Sequence, residues 1–221
     1  MELRFQYDLN KDIENYKIAS QSVNNKTPTK MQSRYTAEYG EVFEDRNLES
    51  FITEYIAEQK LDMSQEAERI KAAWEPIKPE FLKRVEAMFA LESPFEVIHV
   101  FLTTDGRCSY DIEHGYFFVS VSRPFQNKTI MHELLHFWTW LVFHEEVESR
   151  RMTKECYNDV KESLTELLNI EFQDLLGDAH DDGYPQHQEL RAAVGKTWTE
   201  TKDIKKTFEV TSRLCPIGNQ R

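Results

Sequence analysis

The stretch KTIMHELLHFWTWLVFHEE, residues 128–146, is apolar enough to be buried, yet it carries His132, Glu133 and His136 in its middle. In a helix, residues i and i+4 are separated by a little over one turn, about 6 Å along the axis, so both imidazoles project from one face. Burying a polar group without a partner costs on the order of a few kcal/mol. A metal ion bound by both rings would remove that cost, so the segment predicts a metal site on a buried helix.

The glutamate between the histidines has a different predicted role. Glu133 is rotated by about 100° from His132, close enough to reach a metal-bound water without being a ligand itself. A hydrolytic zinc needs a third protein ligand and one open position for water. The pattern H-E-x-x-H-x-x-G-x-x-H is excluded as its source, because Thr139 and Val142 stand where the glycine and the third histidine would be.

A glutamate from a following helix is the other common solution. The segment YNDVKESLTELLNIEF, residues 157–172, belongs to a predicted helix from about Tyr157 to Leu176. Glu162 and Glu166 lie one turn apart on the side of that helix opposite its leucine stripe. Glu148, Glu155 and His180 remain further alternatives for the third ligand.

HELLH at 132–136, followed by KESLTELLN at 161–169, resembles the gluzincin group of zinc metallopeptidases. The likeness covers about residues 95–176 and identifies no family within the group. It implies one zinc ion per chain, held by His132, His136 and Glu162. It further implies that Glu166 holds a ligand histidine by its other ring nitrogen. Glu133 would accept a proton from the zinc-bound water.

A donor must also stabilise the negative charge that develops on a substrate carbonyl. The polar segment DAHDDGYPQHQEL, residues 178–190, offers His180, Tyr184 and His187. Tyr184 is favoured only by resemblance to sites that use a phenol there, and the other two stay open. We expect the strand at 116–122 to be the docking edge for an extended peptide substrate.

The rest of the chain predicts an α+β fold. Alternation at Leu3, Phe5 and Tyr7 predicts an edge strand, and QSVNNKTPTKMQS, residues 21–33, is typical of a loop or mobile arm. Apolar periodicity predicts helices at about 48–60, 64–74 and 79–91, whereas β-branched and aromatic residues predict strands at 95–104 and 116–122. Ser122 or Asn127 could cap the following helix.

These elements, with the resemblance, predict a zincin-like arrangement. A small, mostly antiparallel sheet would precede the buried HExxH helix and a second, ligand-bearing helix. Residues 1–93 would form an N-terminal arm and a helical portion packed on the core, and residues 94–221 the metallopeptidase core.

Composition restricts the partners. The formal net charge of -12 argues against a nucleic acid, which proteins bind through clustered Lys and Arg. The sequence shows no membrane span and no secretory signal. Three cysteines at wide, unrelated spacings suggest neither a disulfide framework nor a cysteine zinc site, so a reducing cytoplasm is the expected location.

The predicted function is therefore zinc-dependent hydrolysis of a peptide or protein substrate. The main alternative is a catalytically silent zincin-like domain that binds metal and serves as an interaction or regulatory module. A di-iron helix bundle would need a second E-x-x-H, which the chain lacks. A structural helical protein without metal is the remaining alternative.

Overall fold

A computed structural model describes residues 1–21, 27–149 and 151–215. The chain divides into two compact units. The sheet unit contains residues 1–76 and 94–127, and the helical unit contains residues 77–93 and 128–221. This division differs from the predicted boundary at residue 94, because the N-terminal strand pairs with a strand that begins at Val97.

The sheet of the first unit has four strands: β1 (Glu2–Gln6), β2 (Val97–Thr103), β3 (Tyr110–Asp111) and β4 (Tyr116–Ser120). Their order is β1-β2-β4-β3. β1 and β4 both run parallel to β2, and β3 alone is antiparallel to its neighbour β4. The expected mostly antiparallel sheet is therefore wrong: residues 104–115 are long enough to return the chain for a parallel pairing of β2 with β4, and the antiparallel pairing is confined to the short strand β3 within this connection.

The predicted docking edge also needs correction. β4 lies between β2 and β3, so its first residues are paired on both sides, and all five of its residues are buried. The strand at the sheet's other end is β1, which confirms the edge strand predicted from its alternating residues. A peptide therefore cannot add along the whole of β4 as the sequence analysis expected.

The described residues of the sheet unit form four helices: α1 (Leu9–Ser20), α2 (Lys30–Tyr39), α3 (Asp45–Glu58) and α4 (Met63–Trp74). The side chains of Asp8, Thr29 and Asp62 accept backbone N–H bonds at the starts of α1, α2 and α4. α3 and α4 confirm two predicted helices. α2 corrects part of the predicted loop, and residues 22–26 of that loop lie outside the described residues.

The helical unit begins with α5 (Lys78–Phe89), which confirms the third predicted helix. The motif-bearing helix is α6 (Gln126–Glu148). Asn127 lies within its first turn and Ser122 four residues ahead of it, so neither occupies the expected cap position. The core includes Ile130, Leu134 and Leu135, whose side chains are fully buried.

The helix predicted for 157–176 is divided into α7 (Lys154–Leu164), α8 (Glu166–Glu171) and α9 (Gln173–Leu176). Thr165 ends α7, and its hydroxyl donates to the carbonyl oxygen of Glu162 at 2.7 Å. Such local side-chain bonds compete with continued helix. A 3-10 turn at Pro185–His187 leads to α10 (Gln188–Thr201), and α11 (Ile204–Ser212) follows.

A disulfide joins Cys156 on α7 to Cys215 just after α11. This pair was not expected from the cysteine spacing, because 59 positions separate the two residues and only the packing of α7 and α11 brings them together. The argument for a reducing compartment therefore loses its basis. Among the described residues, no helix is both long and apolar enough to cross a bilayer.

Candidate metal centre

Two histidines on α6 face the same side of the helix. The rings of His132 and His136 are 4.5 Å apart between centroids, and the flanking Met131, Leu134 and Leu135 are fully buried. The apolar neighbours hold α6 inside the helical unit, so the imidazoles have little access to water. His136 is almost completely buried, whereas the His132 side chain is 22% exposed. The predicted i,i+4 geometry is confirmed.

Glu162 on α7 faces both rings. Its Oε1 lies 3.4 Å from Nε2 of His136, and its Oε2 lies 3.6 Å from Nε2 of His132. One ligand atom from each of the three residues lies within 4.8 Å of the others. The group His132, His136 and Glu162 could therefore hold a metal ion. The other third-ligand alternatives, Glu148, Glu155 and His180, are all exposed.

The remaining ring nitrogen of His132 has a carboxylate partner that the sequence analysis did not find. Nδ1 of His132 lies 2.7 Å from Oδ2 of Asp181. Oδ1 of Asp181 accepts from the Thr165 hydroxyl at 2.9 Å and from the Arg191 guanidinium at 3.1 Å. With Asp181 ionised, Nδ1 carries a proton, so Nε2, which faces Glu162, is the nitrogen that could bind a metal.

The resemblance implied that Glu166 would hold a ligand histidine by its other ring nitrogen, but Glu166 contacts a different residue. It forms an ion pair of 2.7 Å with Arg191. The break at Thr165 ends α7 before Glu166, so Glu162 and Glu166 do not share one continuous helix face. Glu166 thus supports Asp181 through Arg191 and does not contact His132 in its place.

The loop after Asp181 requires a glycine to close over Arg191. Gly183 has a φ of +62°, in the left-handed region, and a Cβ there would lie 2.7 Å from Cδ of Arg191. The Arg191 side chain is 3% exposed, and its guanidinium also donates to the backbone carbonyl of Asp181. Arg191 and Gly183 together fix the loop that carries Asp181.

Glu133 is buried beside this group, with 6% of its surface exposed. No hydrogen-bond partner of its Oε2 lies among the described residues. Burial raises the pKa of Glu133 to about 8; the charge of His132 opposes the shift and that of Glu162 adds to it. A bare, buried carboxylate oxygen is uncommon in a folded protein and calls for an explanation.

Two of the three donors, His136 and Glu162, already have the protonation states that metal ligands need, whereas His132 would release a proton when a metal binds. Burial, with a smaller contribution from the Lys161 charge, lowers the pKa of His136 to about 3, so its ring is neutral. Burial would raise the pKa of Glu162, but the charge of Lys161, together with the two histidine rings that face it, holds that pKa well below the usual value. Burial likewise opposes protonation of His132, yet Asp181 raises the pKa of that ring.

Lys161 is a second residue that the sequence analysis missed. It directly precedes Glu162, its side chain is 4% exposed, and its Nζ lies 3.0 Å from Oε1 of Glu162. The sequence signal was present in VKESL, but a lysine on a charged helix normally projects into solvent. Only the packed structure shows that this ammonium group lies at the candidate centre.

The segment 178–190 contains the three residues that could stabilise the negative charge on a substrate carbonyl, and they lie in different surroundings. His180 is exposed, and its backbone carbonyl accepts from Lys128 at 3.0 Å. Nε2 of the buried His187 lies 3.0 Å from Oδ1 of Asp159. The Tyr184 ring packs edge-to-face on His187 with 5.6 Å between centroids. The catalytic role of Tyr184 stays a prediction.

No model of a known protein family matches this chain, and neither a curated protein nor a solved structure is significantly similar to it.

Proposed function

We propose that this chain is a zinc-dependent peptidase with His132, His136 and Glu162 as ligands and Glu133 as general base. The observation that carries the proposal is the spacing of the donor atoms. The two N···O separations, 3.4 and 3.6 Å, are longer than ordinary N–H···O hydrogen bonds. Each is close to the edge of a tetrahedron around a zinc ion, about 3.3–3.4 Å for bonds of 2.0–2.1 Å, and each is made to a different oxygen of Glu162, so a zinc ion would take one of the two oxygens as its ligand.

The donor set supports zinc over magnesium and calcium. Two imidazole nitrogens and one carboxylate oxygen are a known catalytic zinc set, and they leave a fourth position for water. Magnesium and calcium prefer sets made of oxygen atoms. Zinc would lower the pKa of a bound water towards 7 and polarise a substrate carbonyl.

Glu133 supplies the proton acceptor. Its carboxylate is one residue from a ligand, and the buried Oε2 has no partner among the described residues. A water molecule at the fourth position could donate to that oxygen and pass it a proton. Burial raises the pKa of Glu133 to about 8 in the metal-free chain, and the charge of a zinc ion beside it would lower that pKa, so that the carboxylate could accept a proton at neutral pH. Asp181 meanwhile fixes the ring of His132, so the ligand does not rotate during the reaction.

The peptide substrate is supported by resemblance alone, through HELLH and the downstream KESLTELLN run. The main alternative is a metal-binding interaction module without catalysis. A module of that kind has no need for a bare carboxylate beside its metal, so Glu133 favours the peptidase.

The test pairs zinc stoichiometry with cleavage of an unbiased peptide library. Wild type, Glu133→Gln and Glu145→Gln are compared, because Glu145 is an exposed glutamate on the same helix. All three should hold one zinc per chain. Glu133→Gln should lose about 10²–10⁴-fold in hydrolysis, because a carboxamide cannot accept the proton, and Glu145→Gln should match the wild type.

Three outcomes would contradict parts of the proposal. A wild type without zinc rejects the metal site. A wild type that holds zinc but cuts nothing in the library favours the interaction module. Unchanged hydrolysis by Glu133→Gln rejects Glu133 as the base.

A further inference from the structure

Lys161 presents a problem that the proposed chemistry does not explain. Lysine is almost never fully buried unless it is paired. Here the pair is formed with Glu162, a proposed metal ligand, and the Nζ–Oε1 distance is 3.0 Å. The ammonium group and a metal ion would thus share one carboxylate. Two cations next to each other in a buried site repel strongly, because little water or salt screens them.

The distance between the two charges is limited by the shared ligand. A zinc–oxygen bond is about 2.0–2.2 Å, so zinc bound through Oε1 would lie within about 5 Å of Nζ. Binding through Oε2 would place it little farther away, since both oxygens belong to one carboxylate. The repulsion therefore acts at any coordination through Glu162.

In the metal-free chain, the contact between Lys161 and Glu162 is stabilising. Glu162 is 8% exposed and faces two rings, of which the His136 ring is neutral and the His132 ring is already bonded to the Asp181 carboxylate. A buried charge without its partner is strongly destabilising. The Lys161 ammonium supplies that partner from the neighbouring position of the same helix.

We propose that Lys161 is an internal counter-cation of the metal centre: it stabilises Glu162 in the metal-free chain and lowers the affinity of the folded centre for a divalent cation. The inference rests on the proposed metal site. The two effects must be equal in size: the Lys161 charge weakens metal binding by the same free energy by which a bound metal weakens the stabilisation that Lys161 gives to the folded chain. Lys161 acts through Glu162 and is thus a positioning residue.

Three substitutions separate charge from hydrogen bonding. Lys161→Gln keeps a donor for Oε1 without the charge, Lys161→Met removes both, and Lys161→Arg keeps both. Lys128→Gln is the matched control, because Nζ of Lys128 donates to the carbonyl of His180 and not to a ligand carboxylate. Zinc dissociation constants come from competition with a chromophoric chelator, and melting temperatures are measured on chelator-treated and zinc-loaded protein.

Lys161→Gln should bind zinc about tenfold or more tightly than the wild type, and its metal-free form should melt several degrees lower. For a chain of this size, about 1 kcal/mol corresponds to 2–4 °C. Zinc should remove most of that deficit. Lys161→Arg should lie within about threefold of wild-type affinity, and Lys128→Gln should be unchanged.

The inference is overturned if Lys161→Gln binds zinc with equal or lower affinity while the wild type binds zinc normally. That result leaves the proposed function intact, whereas a wild type without zinc rejects the proposed function itself. If Lys161→Gln folds only with zinc present, the inference is supported. If both Lys161→Gln and Lys161→Met fail to fold even with saturating zinc, it is overturned, because zinc should replace the missing charge.

Discussion

Asp12 in the sheet unit and Glu133 in the helical unit are both buried carboxylates, and burial raises the pKa of each. Their surroundings differ. Asp12 accepts from the hydroxyl of Thr103 at 2.6 Å and from both the N–H and the hydroxyl of Thr104. Oε2 of Glu133 accepts nothing from the described residues. A carboxylate saturated by uncharged donors joins two elements, here α1 and the end of β2, whereas a bare one is available for a reaction.

The same contrast separates Asp105 from Glu162. Asp105 is surrounded by uncharged donors, among them the Thr29 hydroxyl and the Gln32 amide. Glu162 faces two imidazoles at 3.4 and 3.6 Å and an ammonium group. The sheet unit thus uses its carboxylates to fix α1 and α2, and the helical unit brings together groups that could hold a metal ion. The following predictions test this division, from the largest expected effect to the smallest.

Removing a ligand should abolish metal binding. His136→Ala loses one of three donors, so purified protein should contain far less than one zinc per chain. At zinc concentrations near 100 times the dissociation constant, the wild type should gain about 2.7 kcal/mol of stability, and the variant should gain none. Urea unfolding with and without zinc measures this difference. His114→Ala, at an exposed histidine of the sheet unit, is the control, and equal zinc content in both variants would reject the centre.

The opposite pattern is expected for Asp12→Ala. Three donors lose their acceptor, and each buried donor without a partner costs about 1–3 kcal/mol, partly relieved when hydroxyls rotate. We expect a loss of about 2–4 kcal/mol in the free energy of unfolding, with unchanged zinc affinity per folded molecule. Urea unfolding and chelator competition give the two numbers. A large change in zinc affinity would show that the two clusters are not independent.

Asp181→Asn should weaken the metal centre without removing a ligand. The two oxygens of Asp181 serve different donors: Oδ2 faces His132, and Oδ1 accepts from Thr165 and Arg191. An asparagine has one oxygen, so one side must lose its acceptor. Replacing the carboxylate that holds a ligand histidine usually lowers metal affinity by about 10–100-fold. Asp174→Asn, at an exposed aspartate paired with Arg84, should change nothing, and equal affinities for both variants would remove Asp181 from the centre.

Asp181 also shows where reasoning from the sequence reaches its limit. The metal donors were predictable because a helix fixes the geometry of i and i+4, and the apolar neighbours of His132 and His136 show that the face is buried. Asp181 lies on a loop, and its position depends on Arg191 and Gly183. No local period connects a loop residue to a helix 49 positions earlier. Glu166 was assigned instead because it continued the helical spacing, which Thr165 interrupts.

In the sheet, the positions of two strands were predictable from the sequence, but their directions were not. The strands at 97–103 and 116–120 were predictable from β-branched and aromatic residues. A DGR turn between two strands suggests a hairpin, and only the long-range pairing of β1 with β2 shows that the sheet is built on parallel strands. Strand propensity is local, whereas strand pairing depends on residues about 95 positions away in the chain.

The Asp12 carboxylate should make stability depend on pH. Its pKa is about 7 in the folded chain, mainly through burial, and about 3.9 when unfolded. Between pH 4 and 7 the folded state therefore holds more protons, so this group's contribution is complete below pH 4 and is lost as pH rises through 7. The slope is at most about 1.4 kcal/mol per pH unit. Urea unfolding of chelator-treated wild type and Asp12→Asn from pH 5 to 8 should show that stability falls more steeply with rising pH in the wild type, because Glu133, whose pKa is also raised, titrates in both proteins. Parallel curves would mean that Asp12 titrates normally.

Glu166→Gln should have the smallest effect, and it decides between two accounts of the centre. By resemblance Glu166 would hold a ligand histidine, and its loss would then cost as much as that of Asp181. In the structure it pairs with Arg191 and is 25% exposed, so two further contacts separate it from His132. Glutamine keeps the shape and loses the charge, while Arg191 retains Thr165 and Asp181 as partners. Partly exposed ion pairs contribute about 0.2–1 kcal/mol, so zinc affinity should fall by about fivefold at most.

Chelator competition on Glu166→Gln and Asp181→Asn side by side measures both. A loss of zinc affinity equal to that of Asp181→Asn would mean that the Glu166–Arg191 pair is needed to hold Asp181 at His132. Glu166 and Asp181 would then both be required to orient the ligand histidine.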